Sequence, residues 1–371
     1  MQKLTRVFTA PTYTEAATAT ATQRFFDVPD SHGLHLAYTT EDHAGDIVFI
    51  HGLGGSPRKT WSRGHGTGAF WPHWLSDDGP AAPSPHGDGD ALSRFRLWAF
   101  GYNAKFKGPQ TNLEIADFAT DLLLLLCGET RIRESGRRGR RSTPILLVGH
   151  SLGGLVAKKA CAMLAAAGHA GPYAALRGRI RGILFLATPH RGSPYAGVLN
   201  NVLTVAPAAG GASSQPYVAE LAAGSAVVQG ISNEFQDEAQ GMLLCSFYET
   251  KKMRVGFTSI MVVDEASSVM GYAHELSYGL EADHRSICKY RSRNDENFCK
   301  VKAVLKMWTC QLVSIISQQV VQLHGERFPY QLHPCWDSAS LESLDPMHVA
   351  LLMRRLLNGD DTEPAMNLYQ A

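Results

Sequence analysis

The chain has 371 residues, 44% of them hydrophobic and 19% charged, an ordinary globular composition with enough length to bury a substantial core. Lys and Arg number 35 against 34 for Asp and Glu, a formal net charge of +1, so the overall balance gives no push toward nucleic acid and none is expected as a partner. No run of about 18 apolar residues occurs, which argues against a membrane-spanning helix, and seven cysteines without a Cys-x-x-Cys pair suit free thiols in a reducing compartment better than disulfides or zinc.

Residues 1–24 read as a disordered leader. Lys3 and Arg6 stand there without the continuous apolar stretch of a secretory signal, and the threonine-rich, acid-poor composition leaves an organelle transit peptide as the alternative. The expected location is intracellular, either cytoplasmic or peripheral to an organelle membrane, with mitochondrion and endoplasmic reticulum as candidates. Opening strands are expected over 25–38 and 46–50. The second is the buried-strand run Ile47-Val48-Phe49-Ile50, which ends in the glycine-rich turn His51-Gly52-Leu53-Gly54-Gly55. Gly54 to Thr60 superficially resembles a phosphate-binding loop, but Arg58 stands where glycine is required before Lys59.

Residues 61–93, rich in Gly, Pro, Trp and His, read as a loop with one short helix near 70–75. Trp61, Phe70, Trp71 and Trp74 either line an acyl pocket or form a satellite cluster beneath that loop. A strand over 96–102 and an apolar helix over 113–127 follow, the five leucines 122–126 being core. Arg131, Arg133, Arg137, Arg138, Arg140 and Arg141 are opposed only by Glu134. They are read as a solvated loop in preference to a contact for anionic lipid headgroups.

Ile145-Leu146-Leu147-Val148 then runs into Gly149-His150-Ser151-Leu152-Gly153 and out into Leu155-Val156-Ala157. Gly-x-Ser-x-Gly between a strand and a helix is what a nucleophile elbow requires, since the glycines leave room for a strained turn that lifts the hydroxyl off the sheet. The helix N-terminus favours negative charge developing there. A further buried strand over 179–187 ends at Thr188-Pro189-His190-Arg191-Gly192-Ser193; His190 comes too early in chain order to be a base and is read as structural. The uncharged stretch 192–219 is equally a lid or a packed helical insertion. Helix is expected over 217–240, a strand over 242–247 reaching Glu249, a last strand over 259–263 followed by Asp264, then a loop to His284 and an amphipathic helix over 301–322. Residues 25–310 are expected to form one domain, and 311–371 a helical tail.

An elbow serine, acids at the ends of later strands and a histidine on a late loop follow the Ser, Asp/Glu, His order of the α/β-hydrolase fold. That fold class predicts a mostly parallel central sheet with helices on both faces. Serine needs a base to take its proton, and the base needs a carboxylate to hold its tautomer. The expected residues are Ser151 as nucleophile, His284 as base and Glu249 as acid, with Asp264 as the alternative acid. The amides of Leu53 and Leu152 are the expected oxyanion hole. No cofactor or metal is called for, and the sequence carries no signal of oligomeric state.

The motifs Ile-Val-Phe-Ile-His-Gly-Leu-Gly-Gly-Ser-Pro-Arg-Lys-Thr-Trp, Val-Gly-His-Ser-Leu-Gly-Gly-Leu-Val-Ala-Lys, Phe-Leu-Ala-Thr-Pro-His-Arg-Gly-Ser, Ser-Phe-Tyr-Glu-Thr and Ala-Asp-His-Arg-Ser-Ile-Cys-Lys together resemble a family of lipase-type serine esterases. It includes the serine active site-containing protein and many fungal members. The resemblance covers about residues 45–305. It implies an α/β-hydrolase acting on esters, with phospholipid metabolism proposed for some members, hence a lipid or other ester substrate and peripheral membrane contact. The rival expectation is a module of the same fold without catalysis, serving signalling or membrane recruitment. Fungal members often carry nucleotide-binding or repeat domains after this module; neither a P-loop nor a repeat stands in this sequence.

Overall fold

A computed structural model describes residues 23–327 apart from 42, 77–90, 105–112, 130–142, 169, 194–215 and 256. The expected leader, the arginine-rich stretch 131–141, most of the uncharged stretch 192–219 and the tail beyond 327 lie outside the described residues.

The strands are β1 (Arg24–Phe25), β2 (Gly33–Thr39), β3 (Gly45–Ile50), β4 (Phe95–Gly101), β5 (Ile145–His150), β6 (Ile180–Leu186), β7 (Leu243–Glu249), β8 (Met253–Val255), β9 (Thr258–Ile260) and β10 (Leu276–Leu280). The α-helices are α1 (Ile115–Gly128), α2 (Leu152–Ala166), α3 (Pro216–Glu220), α4 (Ala226–Ala239), α5 (Glu265–Ser268) and α6 (Glu296–Arg327). One sheet runs in the order β1-β2-β4-β3-β5-β6-β7-β10. It is antiparallel from β1 to β4 and parallel from β4 onward. The mostly parallel sheet expected from the sequence is therefore present.

Parallel strands covered on both faces need apolar side chains on both, and alternate residues here part into two cores. Val48 and Ile50 of β3, Trp98 and Phe100 of β4, Ile145 and Leu147 of β5 and Ile183 and Phe185 of β6 pack with α1, α2 and α4. Their neighbours Ile47, Phe49, Leu97, Leu146, Val148, Leu184 and Leu186 pack on the opposite face with α6. Trp61, Phe70 and Trp71 belong to this second core and are fully buried. Phe49 meets both Trp61 and Trp71 edge-on, and the Trp71 indole N–H donates to the Cys288 carbonyl at 2.8 Å. These aromatics are thus core and not a pocket lining.

Two sequence expectations require correction. The last strand of the sheet is β10, within the stretch expected as loop; the stretch 259–263, expected as the last strand, instead contributes β9 to a small antiparallel hairpin with β8, outside the main sheet. The reason is physical: β10 is an edge strand, Leu-Ser-Tyr-Gly-Leu, with Ser277 and Tyr278 exposed and only Leu280 buried, so it lacks the continuous apolar signature of its parallel neighbours. In addition, Leu124, expected in the core with the other leucines of 122–126, is 58% exposed on α1. The helix expected over 301–322 lies within α6. It carries Leu305, Trp308 and Leu312 into the second core.

At the end of the sheet where the parallel strands begin, Asp46 is wholly buried. Its carboxylate accepts from Arg96 Nε at 2.7 Å, Arg96 Nη2 at 2.9 Å and Trp98 Nε1 at 2.8 Å. Arg179, at the foot of β6, lies 4.0 Å from the same carboxylate and donates from Nε to the Thr143 carbonyl at 3.0 Å. A buried charge cluster holds together only while every member keeps its partners. We expect Asp46→Ala to lower unfolding stability by about 3–5 kcal/mol, read as a fall in the urea midpoint. A midpoint within error of wild type would show that the Asp46 cluster does not stabilise the sheet.

Candidate active site

The parallel strands deliver their C-terminal ends to one edge, where β5 turns into α2. Ser151 sits at the turn with φ 53° and ψ −122°, and its amide donates to the Leu186 carbonyl at 2.9 Å. An L-residue holds such a conformation only when its surroundings over-determine it. The glycines supply the room. A methyl on Gly149 would meet the Gly154 backbone at 2.6 Å, one on Gly153 the His51 carbonyl at 2.5 Å, and one on Gly154 the Thr188 side chain. Ala187, at the end of β6, is the other described non-glycine residue with positive φ, at 48°.

His284 follows β10 in a turn built by Asp283, whose Oδ1 accepts from the Arg285 amide at 3.1 Å and the Ser286 amide at 2.9 Å. His284 Nε2 lies 3.0 Å from Ser151 Oγ, and Nδ1 lies 3.3 Å from Glu249 Oε1. A carboxylate accepts only, so Nδ1 carries the proton and Nε2 accepts from the serine hydroxyl. All three side chains are at least 98% buried, at 2% exposure each. Glu249 ends β7 and is fixed by the Val263 amide, which donates to Oε1 at 2.6 Å.

The structure therefore brings Ser151, His284 and Glu249 together and leaves Asp264 apart. Asp264 is exposed, and its Oδ1 caps α5 by accepting from the Ser267 amide at 2.8 Å. Because the strand before it lies outside the main sheet, Asp264 is not delivered to the catalytic edge; its segment reaches Glu249 only through the Val263 backbone.

The turn after β3 packs against the serine: a methyl on Gly52 would sit 2.9 Å from Ser151 Cβ. The Gly52 carbonyl accepts from His51 Nδ1 at 2.9 Å and from the Gly55 amide at 3.0 Å. In a trans peptide that turns the Leu53 N–H the opposite way. Among the described residues neither the Leu53 nor the Leu152 amide donates to a protein acceptor, although both residues are buried. The Leu152 amide, first in α2, lacks an intrahelical acceptor as every first-turn amide does.

Two histidines that sequence reasoning passed over support this arrangement. His51 accepts the Tyr102 amide on Nε2 at 3.2 Å and stacks on the Tyr102 ring at 4.3 Å. His150, the variable position of Gly-x-Ser-x-Gly, donates from Nε2 to the His284 carbonyl at 3.0 Å. The one signal for either was its place beside a glycine in a motif. Burial depresses the His51 pKa to about 4, and burial together with the neighbouring His284 depresses that of His150 to about 3. Burial, then Lys158, also holds His190 well below the ordinary histidine range; it contacts Lys158 and Phe185 and no residue of the Ser151–His284–Glu249 group.

Each of these folded-state pKa values lies below the unfolded one near 6.5, so between those limits the unfolded chain binds more protons. Stability is then fully present above about pH 6.5 and falls as pH drops toward 4, by up to about tenfold in the folding equilibrium per pH unit for each buried histidine. We expect a clearly lower urea midpoint at pH 5 than at pH 7.5; equal midpoints would show that the imidazoles do not stay neutral.

The sequence profile of the alpha/beta hydrolase family matches residues 47–254. Among curated proteins the chain is similar to Protein SERAC1 of mouse, 26% identical over 275 residues, covering 69% of this chain and 38% of that protein. It is similar also to human Protein SERAC1, 26% identical over 281 residues, covering 70% and 38%. The chain thus spans about 38% of the length of these relatives. Among solved structures it resembles a Bacillus licheniformis lipase, BlEst2 in mature form, at 17% identity and TM-score 0.43, covering 71% of this chain and 91% of that one. It also resembles phospholipase PlaB from Legionella pneumophila at 18% identity and TM-score 0.40, covering 60% and 41%. Among the described residues no helix is long and apolar enough to cross a membrane.

Proposed function

The chain belongs to the alpha/beta hydrolase family, and from that premise we propose that it is a serine hydrolase cleaving a carboxylic ester by way of an acyl-enzyme. The observation that carries this reading is the hydrogen-bonded series from Ser151 Oγ through His284 to Glu249, at 3.0 Å and 3.3 Å. Ser151 attacks the ester carbonyl while His284 Nε2 takes the hydroxyl proton. The oxyanion of the tetrahedral intermediate accepts from the Leu53 and Leu152 amides. His284 then returns the proton to the departing alcohol, leaving Ser151 acylated, and activates water for the second half of the reaction. Glu249 keeps the imidazole in its tautomer and balances the imidazolium.

Lipid esters are the substrate class we favour, on the resemblance to lipase-type esterases, and with them contact with a membrane surface. Buried free thiols at Cys161, Cys245 and Cys288 support an intracellular setting.

The test is labelling by a fluorophosphonate together with turnover of p-nitrophenyl esters of increasing acyl length. Wild type is expected to label and to turn over esters. Ser151→Ala loses both, and Glu249→Gln loses about 10²–10⁴ in kcat. Asp264→Asn stays within about twofold of wild type, as a substitution on the surface away from the reacting groups. A folded wild type that neither labels nor turns over any ester would sink the hydrolase reading in favour of a non-catalytic module. Loss in Asp264→Asn with Glu249→Gln active would reverse the choice of acid.

A further inference from the structure

A cavity of about 380 Å³ opens between α2, α4, the loop after β6 and the segment of Met270 and Tyr272. Lys158, His190, Arg191, Ser225, Gln229, Ser232 and Tyr272 contribute its polar lining, while Ser151, His284 and Glu249 do not line it. Lys158 lies seven residues beyond Ser151 on α2, about 10 Å along the helix axis. Its volume is that of about a dozen waters, room for a small charged group with a short organic stem.

The charges of this cavity are unbalanced. Lys158 is wholly buried; its ammonium donates to the Ser232 hydroxyl at 2.9 Å, lies 3.5 Å from His190 Nδ1 and stands over the Phe235 ring at 5.5 Å, and among the described residues no carboxylate bonds it. Arg191 is exposed at the rim. Neither cation forms an ion pair among the described residues. The carboxylate that acts on Lys158 at longer range is Glu275, and its oxygens are taken up by the Ser246 hydroxyl and the Met270 and Gly271 amides. A buried ammonium without a carboxylate is costly, and burial accordingly draws the Lys158 pKa down to about 7.

Two independent features point to what would balance it. The N-terminus of the 14-residue helix α4 opens onto the cavity at its cap, Ser225, whose hydroxyl oxygen accepts from the Val227 amide at 3.2 Å; Gln229 follows on the same face and adds its amide group to the helix dipole, while the Ser232 hydroxyl is committed to the His190 carbonyl at 3.1 Å. His190 is 3% exposed, and its Nε2 has no hydrogen-bond partner. With Nδ1 turned to the Lys158 ammonium, Nε2 carries the proton and is a buried donor that lacks an acceptor. The Lys158 ammonium, the Arg191 guanidinium and the His190 Nε2–H are lining donors that no carboxylate bonds among the described residues. Three terminal oxygens can use them where the two of a carboxylate cannot.

We propose that this cavity is a binding site for a phosphate monoester, distinct from the Ser151 centre, with Lys158 and Arg191 as its charge partners and the N-terminus of α4 and His190 as further donors. The phosphate belongs either to a small free organic phosphate or to the headgroup of a lipid. The site stands on its own geometry, whether or not Ser151 is a nucleophile.

The experiment is calorimetric titration of the full chain with inorganic phosphate and with glycerol 3-phosphate, alongside cosedimentation with phosphatidylcholine vesicles with and without phosphatidic acid. Wild type and Ser151→Ala are expected to bind phosphate saturably and alike. Lys158→Met and Arg191→Gln each weaken binding by about tenfold or more, the size of a lost charge-assisted contact. Without ligand, Lys158→Met should melt no lower than wild type, because it removes an unpaired buried charge at similar volume. Binding of glycerol 3-phosphate without vesicle capture supports a free phosphate as ligand. Capture of phosphatidic acid vesicles that Lys158→Met abolishes supports a lipid headgroup. The proposal is overturned if wild type shows no saturable phosphate binding, or if folded Lys158→Met and Arg191→Gln bind as wild type does. It is equally overturned if Ser151→Ala loses binding, which would move the phosphate to the other site, or if Lys158→Met lowers the melting temperature while phosphate affinity is unchanged, which would make the lysine structural.

Discussion

Ser151 is held at φ 53° and ψ −122°, a backbone state that costs on the order of 1–3 kcal/mol, and the rest of the site is arranged around the close packing that enforces it. The helix after the serine must approach the sheet until Gly149 touches Gly154 and Gly153 reaches the His51 carbonyl. That approach sets the amide of Leu152 beside the turn that carries Leu53, and it forces the β3 turn against the serine side chain. Side chains at these glycines would push the helix outward and relax the turn. The strain is maintained by a sheet buried on both faces, whose alternate residues are locked into two separate cores.

Polar groups inside this sheet fall into two kinds. Asp46 with Arg96 and Trp98, at one end of the strands, is closed on itself, every strong donor meeting an acceptor. At the other end the groups are left open. His284 faces a hydroxyl, the Leu53 and Leu152 amides face no protein acceptor, and the cavity beside α4 holds cations without carboxylates. Low local dielectric makes closure stabilising at the first end, and makes the open groups of the second end strong ligands for whatever charge arrives. The buried histidines His51 and His150 carry no charge near neutral pH, their pKa values drawn down to about 4 and about 3. They position backbone around Ser151 and His284 without adding positive charge beside them.

Much of this was legible in the residues alone. The buried strands announce themselves as apolar runs because a parallel sheet has no solvent face, and two of them lead into glycine-rich turns whose function depends on backbone and is therefore written in glycine. Ser151 and His284 could be named because the turn after β5 and the late loop have few other candidates. The short edge strand Leu276–Leu280 could not be, since half of its side chains meet solvent and its pairing with β7 comes from long-range register rather than local pattern.

The choice between Glu249 and Asp264 shows where the division falls. Both acids follow an apolar stretch, and chain order favours Glu249 while leaving Asp264 as the alternative. Only the sheet decides which stretch is a strand beside β6 and which folds out as a hairpin, and so which carboxylate comes within 3.3 Å of His284 and which caps a helix. The sequence by itself determined the elements and the turn chemistry, because those depend on residues close together in the chain. Tertiary structure decided which carboxylate meets His284, the neutral histidines and the cation-lined cavity, because each depends on burial and on partners tens to hundreds of residues apart, which no local pattern records.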